Sequence, residues 1–461
     1  MRKFDAIVIG AGQAGMPMAK KLARAGKKTL LIEKRRIGGT CINDGCTPTK
    51  TMIASARMAY LAGKSDNYGI TIPSFEVNFD RIRARTGAIT DRFRASAEDG
   101  IEETPGLTLL YGTAVFTADH IIEVRNTGSQ AGVFTAELIF INTGAKPLLP
   151  EIPGLRTVNY LTSETILDLD EVPAHLVVAG GGYIGLEYAQ LFKRLGAKVT
   201  LIEQGDRLLP QEDADACAVI SDVFKNEKIN VLTDAEVVEM RNYGNNRIQV
   251  AVSHQGKQRS ITCSHLLLAF GREPQTRDLG LESTGIKRNE KGHILVDEFL
   301  ETHVPGVFAL GDVKGGPAFT HIAYNDHYQL MQGILTGKKQ SVRGRMVPYC
   351  MFTDPQLGRV GINEMEAIDA GIDYQCAKLP MASVARAIET DDTQGFMKAI
   401  VDRKTKKILG ACIIGESGGE VMTMLQLAMM GGLTWEEIRY ATFAHPLYAE
   451  SLNNLFMSLE S

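Results

Sequence analysis

A glycine pattern that occurs twice constrains this chain more than any other feature. Gly10, Gly12, Gly15, Gly26 and Glu33 recur as Gly180, Gly182, Gly185, Gly196 and Glu203, at a constant offset of 170 residues. Around the first copy, an apolar run at residues 4–9, the glycine turn, an amphipathic stretch to Ala25 and a second apolar run at residues 29–33 predict strand, turn, helix and strand. Around the second copy, residues 176–179, 180–195 and 198–203 repeat the order. Each glycine has a mechanical reason: a tight turn, close approach of backbone N–H groups to a pyrophosphate, and close packing of helix on sheet. A single copy would be weak grounds, but recurrence with a carboxylate at the end of the second strand, placed to meet ribose hydroxyls, predicts two dinucleotide-binding units.

A length of 461 residues leaves room for about three domains. After each unit an apolar strand ends in a Gly and Pro cluster, at residues 143–147 and 271–274, and these are the expected linkers. Beyond about residue 340 no glycine fingerprint appears. The composition there shifts to alternating strands and a Met-rich helix near residues 421–430, expected to serve as core or subunit interface rather than as a cofactor box. Basic and acidic side chains nearly cancel, 50 against 54, with no long basic run, so a nucleic-acid partner is not expected. No apolar stretch reaches 18 residues and the amino-terminal run is only strand-length, so neither a membrane span nor a signal peptide is expected and the chain reads as cytoplasmic.

Seven cysteines, odd in number and scattered, are wrong for a secreted disulfide framework. Only Cys41 and Cys46 are close, before a stretch of strong helix formers. In an ideal helix, residues five apart are separated by about 7.5 Å along the axis and roughly 140° around it. A disulfide needs Cα atoms within about 6.8 Å. If the two bond, the helix start must be distorted, and Gly45 is the residue that permits it. A zinc site would need two further Cys or His ligands nearby, and there are none, so no metal site is expected. Two readings remain, a pair of buried inert thiols and a redox dithiol. The neighbouring dinucleotide units favour the second, since a dithiol can take electrons from a flavin that nicotinamide has reduced.

The segment Gly38-Gly-Thr-Cys41-Ile-Asn-Asp-Gly-Cys46-Thr-Pro-Thr-Lys50, with the paired fingerprints, resembles the FAD-dependent pyridine nucleotide-disulfide oxidoreductases, the family of dihydrolipoamide dehydrogenase, glutathione reductase and mercuric reductase. The similarity spans essentially the whole chain. Thr49 stands where Ser is commoner, and Asp44 and Thr47 replace aliphatic residues. The resemblance implies an α/β fold with two Rossmann-like dinucleotide-binding domains and a carboxyl-terminal α+β dimerisation domain. Its expected parts are residues 1–147 and 273–342 for FAD, 148–272 for NAD(P), and 343–461 for the interface of a homodimer.

By the same resemblance Gly10, Gly12, Gly15, Glu33, Thr40, Lys50, Thr143, Gly144, Gly311 and Asp312 should hold FAD, Asp312 through the ribityl chain. Gly180, Gly182, Gly185, Glu203 and Gly271 should hold the nicotinamide nucleotide. The segment from Gly315 to His321 should open a helix whose amides face the flavin pyrimidine, with His321 structural rather than catalytic. The catalytic set implied is Cys41 and Cys46, the ion pair Lys50 and Glu187 beside flavin N5, Tyr183 gating the nicotinamide pocket, and His445 with Glu450. Pro446 suits the first turn of a helix, which would put His445 at its start and Glu450 about a turn further on, a carboxylate fixing an imidazole for acid–base work.

Glu203 at the ribose-reading position, followed by Gln204 and Gly205 with no cation for a 2′-phosphate, predicts NADH over NADPH; Arg207 is the one nearby cation. Electrons are therefore expected to pass from nicotinamide through FAD to Cys46 and Cys41, and on to a small acceptor. A disulfide or dithiol such as lipoamide is the leading expectation. The run from Gly315 to Asp326 and the ending from Glu450 to Phe456 look most like the mercuric-reductase-like branch, which makes metal-ion or quinone reduction the alternative. Typical mercuric reductases carry a cysteine pair at the carboxyl end, whereas the last cysteine here is Cys412 and Leu447 stands where the family has Thr. A flavin-loaded scaffold without activity is disfavoured by the dithiol.

Overall fold

The computed structural model describes residues 1–125, 132–244 and 246–460. Its first sheet has the order Leu107–Tyr111, Thr29–Glu33, Arg2–Ile9, Gly132–Ile141, Ile121–Arg125 and Thr113–Ala118, with Val307–Ala309 joining Gly132–Ile141 in parallel. Strand Arg2–Ile9 runs parallel to both neighbours. Helix Gly15–Arg24 crosses over it and buries Met18, Ala19, Leu22 and Ala23, the stripe that its apolar spacing dictates. Strand Thr29–Glu33 is buried along its whole length, which is why it reads as an unbroken apolar run rather than an alternating one.

The second fingerprint builds the same unit again. A parallel sheet orders Asn230–Leu232, Lys198–Ile202, His175–Ala179, His265–Leu268 and Tyr160–Leu161, and helix Tyr183–Arg194 packs on it. The two glycine turns match at the level of single contacts. Gly10 and Gly180 have φ of +98° and +118°, and a Cβ on either would lie 2.3 Å from the carbonyl oxygen of Asn142 or Ala269. A Cβ on Gly15 or Gly185 would lie 1.9 or 2.0 Å from the carbonyl oxygen of Gly10 or Gly180. Only glycine fits either place, so the repeat read in the sequence is a repeat of backbone approach.

The expected linkers pair with each other: Ala145–Pro147 and Arg272–Pro274 form an antiparallel ribbon between the two units. An antiparallel sheet of Tyr349–Met351, Gln356–Gly361, Ile408–Gly415, Phe396–Asp402 and Tyr374–Pro380 completes the mixed α/β architecture. The Met-rich helix Gly418–Gly431 packs on it through Val421, Met422, Leu425 and Ala428, and leaves Met424, Leu427 and Met430 exposed. Among the described residues no helix is long and apolar enough to cross a membrane.

One local expectation is corrected. Pro446 does not open a helix: residues 442–450 are irregular and turn-forming, and the last helix is Ser451–Met457, with Glu450 at its N-cap. The His445–Pro446 peptide is cis.

Candidate active site

The first unit, the ribbon and the carboxyl-terminal sheet enclose a cavity of about 1120 Å³. At one end lie Gly10, Gly12 and Glu33, along its length Thr40, Thr143, Gly144, Gly311 and Asp312, and at the other end Cys41, Cys46, Lys50, Tyr183 and Glu187. Glu33 is held by two backbone amides, Oε2 accepting from Ala11 and Oε1 from Arg35, each at 2.8 Å. Glu203 repeats this in the second unit, accepting from Gly181 at 2.6 Å and Gly205 at 2.7 Å. Gly15 is buried beneath the fingerprint loop, where its N–H donates to Asn142 Oδ1 at 2.8 Å. Asn142 Nδ2 in turn donates to the carbonyl of Leu310 at 2.9 Å, which ties the first fingerprint to the Gly311-Asp312 segment. Asp312 lies 3.7 Å from Arg272, and burial raises its pKa.

The two cysteines belong to two helices rather than one distorted helix. Cys41 lies in Gly39–Asn43 and Cys46 opens Cys46–Gly63. The chain breaks between them at Gly45, where a Cβ would come within 2.9 Å of the Thr40 carbonyl oxygen. Both are thiols in this structure. The Cys41 thiol hydrogen-bonds Cys46, and this bond, more than burial, drives the Cys41 pKa up. The same bond is the largest cause lowering Cys46 to about 5, against burial and with help from the Thr320 hydroxyl, 3.5 Å away, and the Lys50 charge. Cys46 is the thiolate of the pair, at the helix position that favours one.

Lys50 and Glu187 meet at 2.6 Å, and Glu187 also accepts the Phe352 N–H at 2.8 Å. Glu187 is 6% exposed, so it is no solvated helix residue. Thr49 has its own use, a 3.0 Å hydrogen bond to the buried Tyr188 hydroxyl. Asp44 pairs with Arg35. His321 Nε2 meets the Pro348 carbonyl and the ring stacks on Phe319.

His445 and Glu450 do pair, Nδ1 to Oε2 at 2.8 Å, with the imidazole 67% exposed. Neither lines the cavity of its own chain. Gly180, Gly182, Gly185, Glu203 and Gly271 likewise lie off this cavity, beyond the carboxyl ends of the three central strands of the second sheet. Among the described residues no group of three or more His, Cys, Asp or Glu could hold a metal ion. Four residues at the site were not read from sequence. Asn142, Arg272, Glu212 and Tyr349 carry no motif of their own, and only the folded chain brings three of them to the cavity wall and Glu212 to the Tyr183 hydroxyl.

Residues 4–326 match the pyridine nucleotide-disulphide oxidoreductase family and residues 347–456 its dimerisation domain. The chain belongs to that family. It is 36% identical over 460 residues, 99% of each chain, to the probable pyridine nucleotide-disulfide oxidoreductase RclA of Escherichia coli. It is 34% identical to a mercuric reductase of Streptomyces lividans and 33% to a dihydrolipoyl dehydrogenase of Geobacillus stearothermophilus, each over 97% of this chain and 94% of the relative. Among solved structures, the Cu(II) complex of the HOCl-induced flavoprotein disulfide reductase RclA from Escherichia coli superposes with a TM-score of 0.90 at 35% identity over 99% of both chains. The protein is thus an NAD(P)H-dependent flavoprotein disulfide oxidoreductase, and the dimerisation domain supports a homodimer.

The family's flavin, FAD, fits this chain. One cavity of about 1120 Å³ takes in the fingerprint glycines Gly10 and Gly12, the carboxylate Glu33 and both cysteines, and a Cβ on Gly144 would meet nothing within 4 Å. The lowered Cys46 pKa gives a direct check. In the two-electron-reduced holoenzyme the long-wavelength charge-transfer absorption of the Cys46 thiolate should persist at neutral pH. It should disappear only as pH falls through about 5. Half-loss between pH 8 and 9, the range of an ordinary thiol at about 8.5, would contradict the geometry.

Proposed function

We propose that this enzyme passes electrons from NADH through FAD to the Cys46/Cys41 pair and from Cys41 to a small disulfide acceptor. The observation that carries the reading is the asymmetric thiol pair. Cys46 is the thiolate, beside Lys50 and Glu187, while Cys41 holds its proton. When bound, FAD accepts hydride from nicotinamide and delivers an electron pair to sulfur. Glu33, the glycines of the first fingerprint, Thr40, Thr143, Gly144, Gly311 and Asp312 would hold it, and Lys50 would stabilise negative charge at that end of the cavity. Exchange with the acceptor then needs a group that gives and takes protons at Cys41. His445, oriented by Glu450, is that group, and its place outside its own chain's cavity supports delivery from the partner subunit.

A second reading is favoured by the relatives. RclA of Escherichia coli has been solved as a Cu(II) complex, and mercuric reductases match over nearly the whole chain. In that reading the same thiol pair hands electrons to a soft metal ion. Consumption of NADH measured against lipoamide, glutathione disulfide, a quinone, Cu(II) and Hg(II) decides between them. Turnover with a disulfide, lost in Cys41→Ser, is the expected result. Turnover with metal ions alone would replace the proposal by the second reading, and no turnover with any acceptor would leave a flavin-bound scaffold.

NADH is the proposed donor, because Glu203 would repel a 2′-phosphate and Arg207, the one cation nearby in sequence, is turned away. Its guanidinium donates to the Pro210 carbonyl at 3.1 Å and rests on Met365 Sδ. We expect kcat/KM for NADH to exceed that for NADPH by at least about tenfold, the equivalent of roughly 1.4 kcal/mol. Equal or better use of NADPH would overturn this assignment.

A further inference from the structure

Tyr183 opens helix Tyr183–Arg194 and lines the cavity, yet its hydroxyl is not free. It donates to Glu212 Oε1 at 2.9 Å. The same oxygen accepts from Tyr349, a residue of the carboxyl-terminal sheet, and the two rings stand 5.4 Å apart. Glu212 is 1% exposed, and Arg359 balances its charge from 3.5 Å while bonding the Tyr349 hydroxyl at 3.1 Å and pairing with Glu366. Phe319, also on the cavity wall, stacks on Tyr349 at 5.4 Å and 13°. The loop carrying Glu212 is itself anchored, the Gln211 carbonyl accepting from Arg359 and Asn363. Burial raises both phenol pKa values, so both remain donors at neutral pH.

We propose that Glu212 is a positioning residue that latches Tyr183 across the nicotinamide pocket, with Tyr349 and Arg359 holding the carboxylate in place. The inference rests on the reading of Tyr183 as the gate. A buried carboxylate that accepts two phenols from two parts of the fold is bound more tightly than domain docking requires. Lys398 already joins the same parts through Asp213, Asp215 and Glu364. The latch makes the closed gate the ground state, and the apparent affinity for nicotinamide is reduced by the fraction of molecules that are open. One hydrogen bond to a charged group sets that fraction at roughly one tenth.

The test uses the FAD-loaded enzyme and two variants, Tyr183→Phe, which keeps the ring and loses the hydroxyl, and Glu212→Ala. Each should raise iodide quenching of the flavin fluorescence several-fold and lower KM for NADH by up to about tenfold. Because the Tyr183–Glu212 bond is absent from both variants, adding Tyr183→Phe to Glu212→Ala should raise quenching no further. Glu212→Gln, which still offers an acceptor oxygen, should restore quenching close to wild type. If Glu212→Ala fails to fold, Tyr183→Phe carries the test alone. Quenching and KM unchanged in the folded variants would overturn the latch and leave Glu212 as a domain contact. Should no nicotinamide nucleotide reduce the wild-type flavin, the proposed function falls, and iodide quenching still decides the latch.

Discussion

Cys46→Ser should lose the charge-transfer absorption altogether and lose disulfide turnover by more than about 10³-fold, the scale on which removal of a reacting nucleophile is felt. The cause is electrostatic. Cys46 is the only sulfur of the seven whose pKa is driven down, because the Cys41 proton, the Thr320 hydroxyl and the Lys50 charge all favour its thiolate, whereas Cys350, on the same cavity wall, is pushed up to about 12 by burial. Serine offers no thiolate and cannot form the disulfide. Cys41→Ser should behave differently: it should stop turnover as completely yet retain the absorption without any reductant, since its hydroxyl can still donate to the Cys46 thiolate. Absence of the band in wild type and in Cys41→Ser alike would refute the assignment of roles within the pair.

His445→Ala should slow dithiol–disulfide turnover by about 10²- to 10⁴-fold, the usual loss for a positioned acid–base group, while flavin reduction by NADH stays within about twofold. Glu450→Ala should act in the same direction and more mildly, because it removes the 2.8 Å contact that fixes the imidazole tautomer and leaves the imidazole itself. His445 is exposed and the pair lies off the cavity of its own chain, so the proposed role calls for a second subunit to bring it to the thiols. Mixed dimers of inactive His445→Ala and inactive Cys46→Ser subunits should therefore regain one working site. Mixed dimers that assemble and remain inactive would refute the shared site. Normal disulfide turnover by His445→Ala would remove the residue from the chemistry and favour a non-disulfide acceptor.

Much of this site was legible in the sequence because its constraints are steric and local. Gly10 and Gly15, and their copies Gly180 and Gly185, have no room for a Cβ, and that exclusion leaves a mark at fixed spacing. Gly45 marks the break between the cysteines for the same reason. The His445–Glu450 pair was also legible, but for the wrong cause. Helix periodicity from Pro446 placed the two side chains together, whereas the contact is made by turns, and the helix begins only at Ser451. What could not be read is long-range pairing of common polar residues. Glu212 meets Tyr349 and Arg359 from 137 and 147 positions away. Asn142 reaches Gly15 over 127 positions and Leu310 over 168. An isolated Glu, Asn or Tyr carries no spacing signal of its own. The departures Asp44 and Thr49 became intelligible only through their partners Arg35 and Tyr188.

The central claim, that electrons from nicotinamide come to rest on the thiol pair, is tested most directly by anaerobic addition of one equivalent of NADH to the air-oxidised FAD enzyme, followed by alkylation and mass spectrometry. Cys41, a closed disulfide with Cys46 before addition, should become alkylatable in step with the rise of the charge-transfer absorption while the flavin regains its oxidised spectrum. A flavin that stays reduced, with Cys41 still blocked, would contradict it.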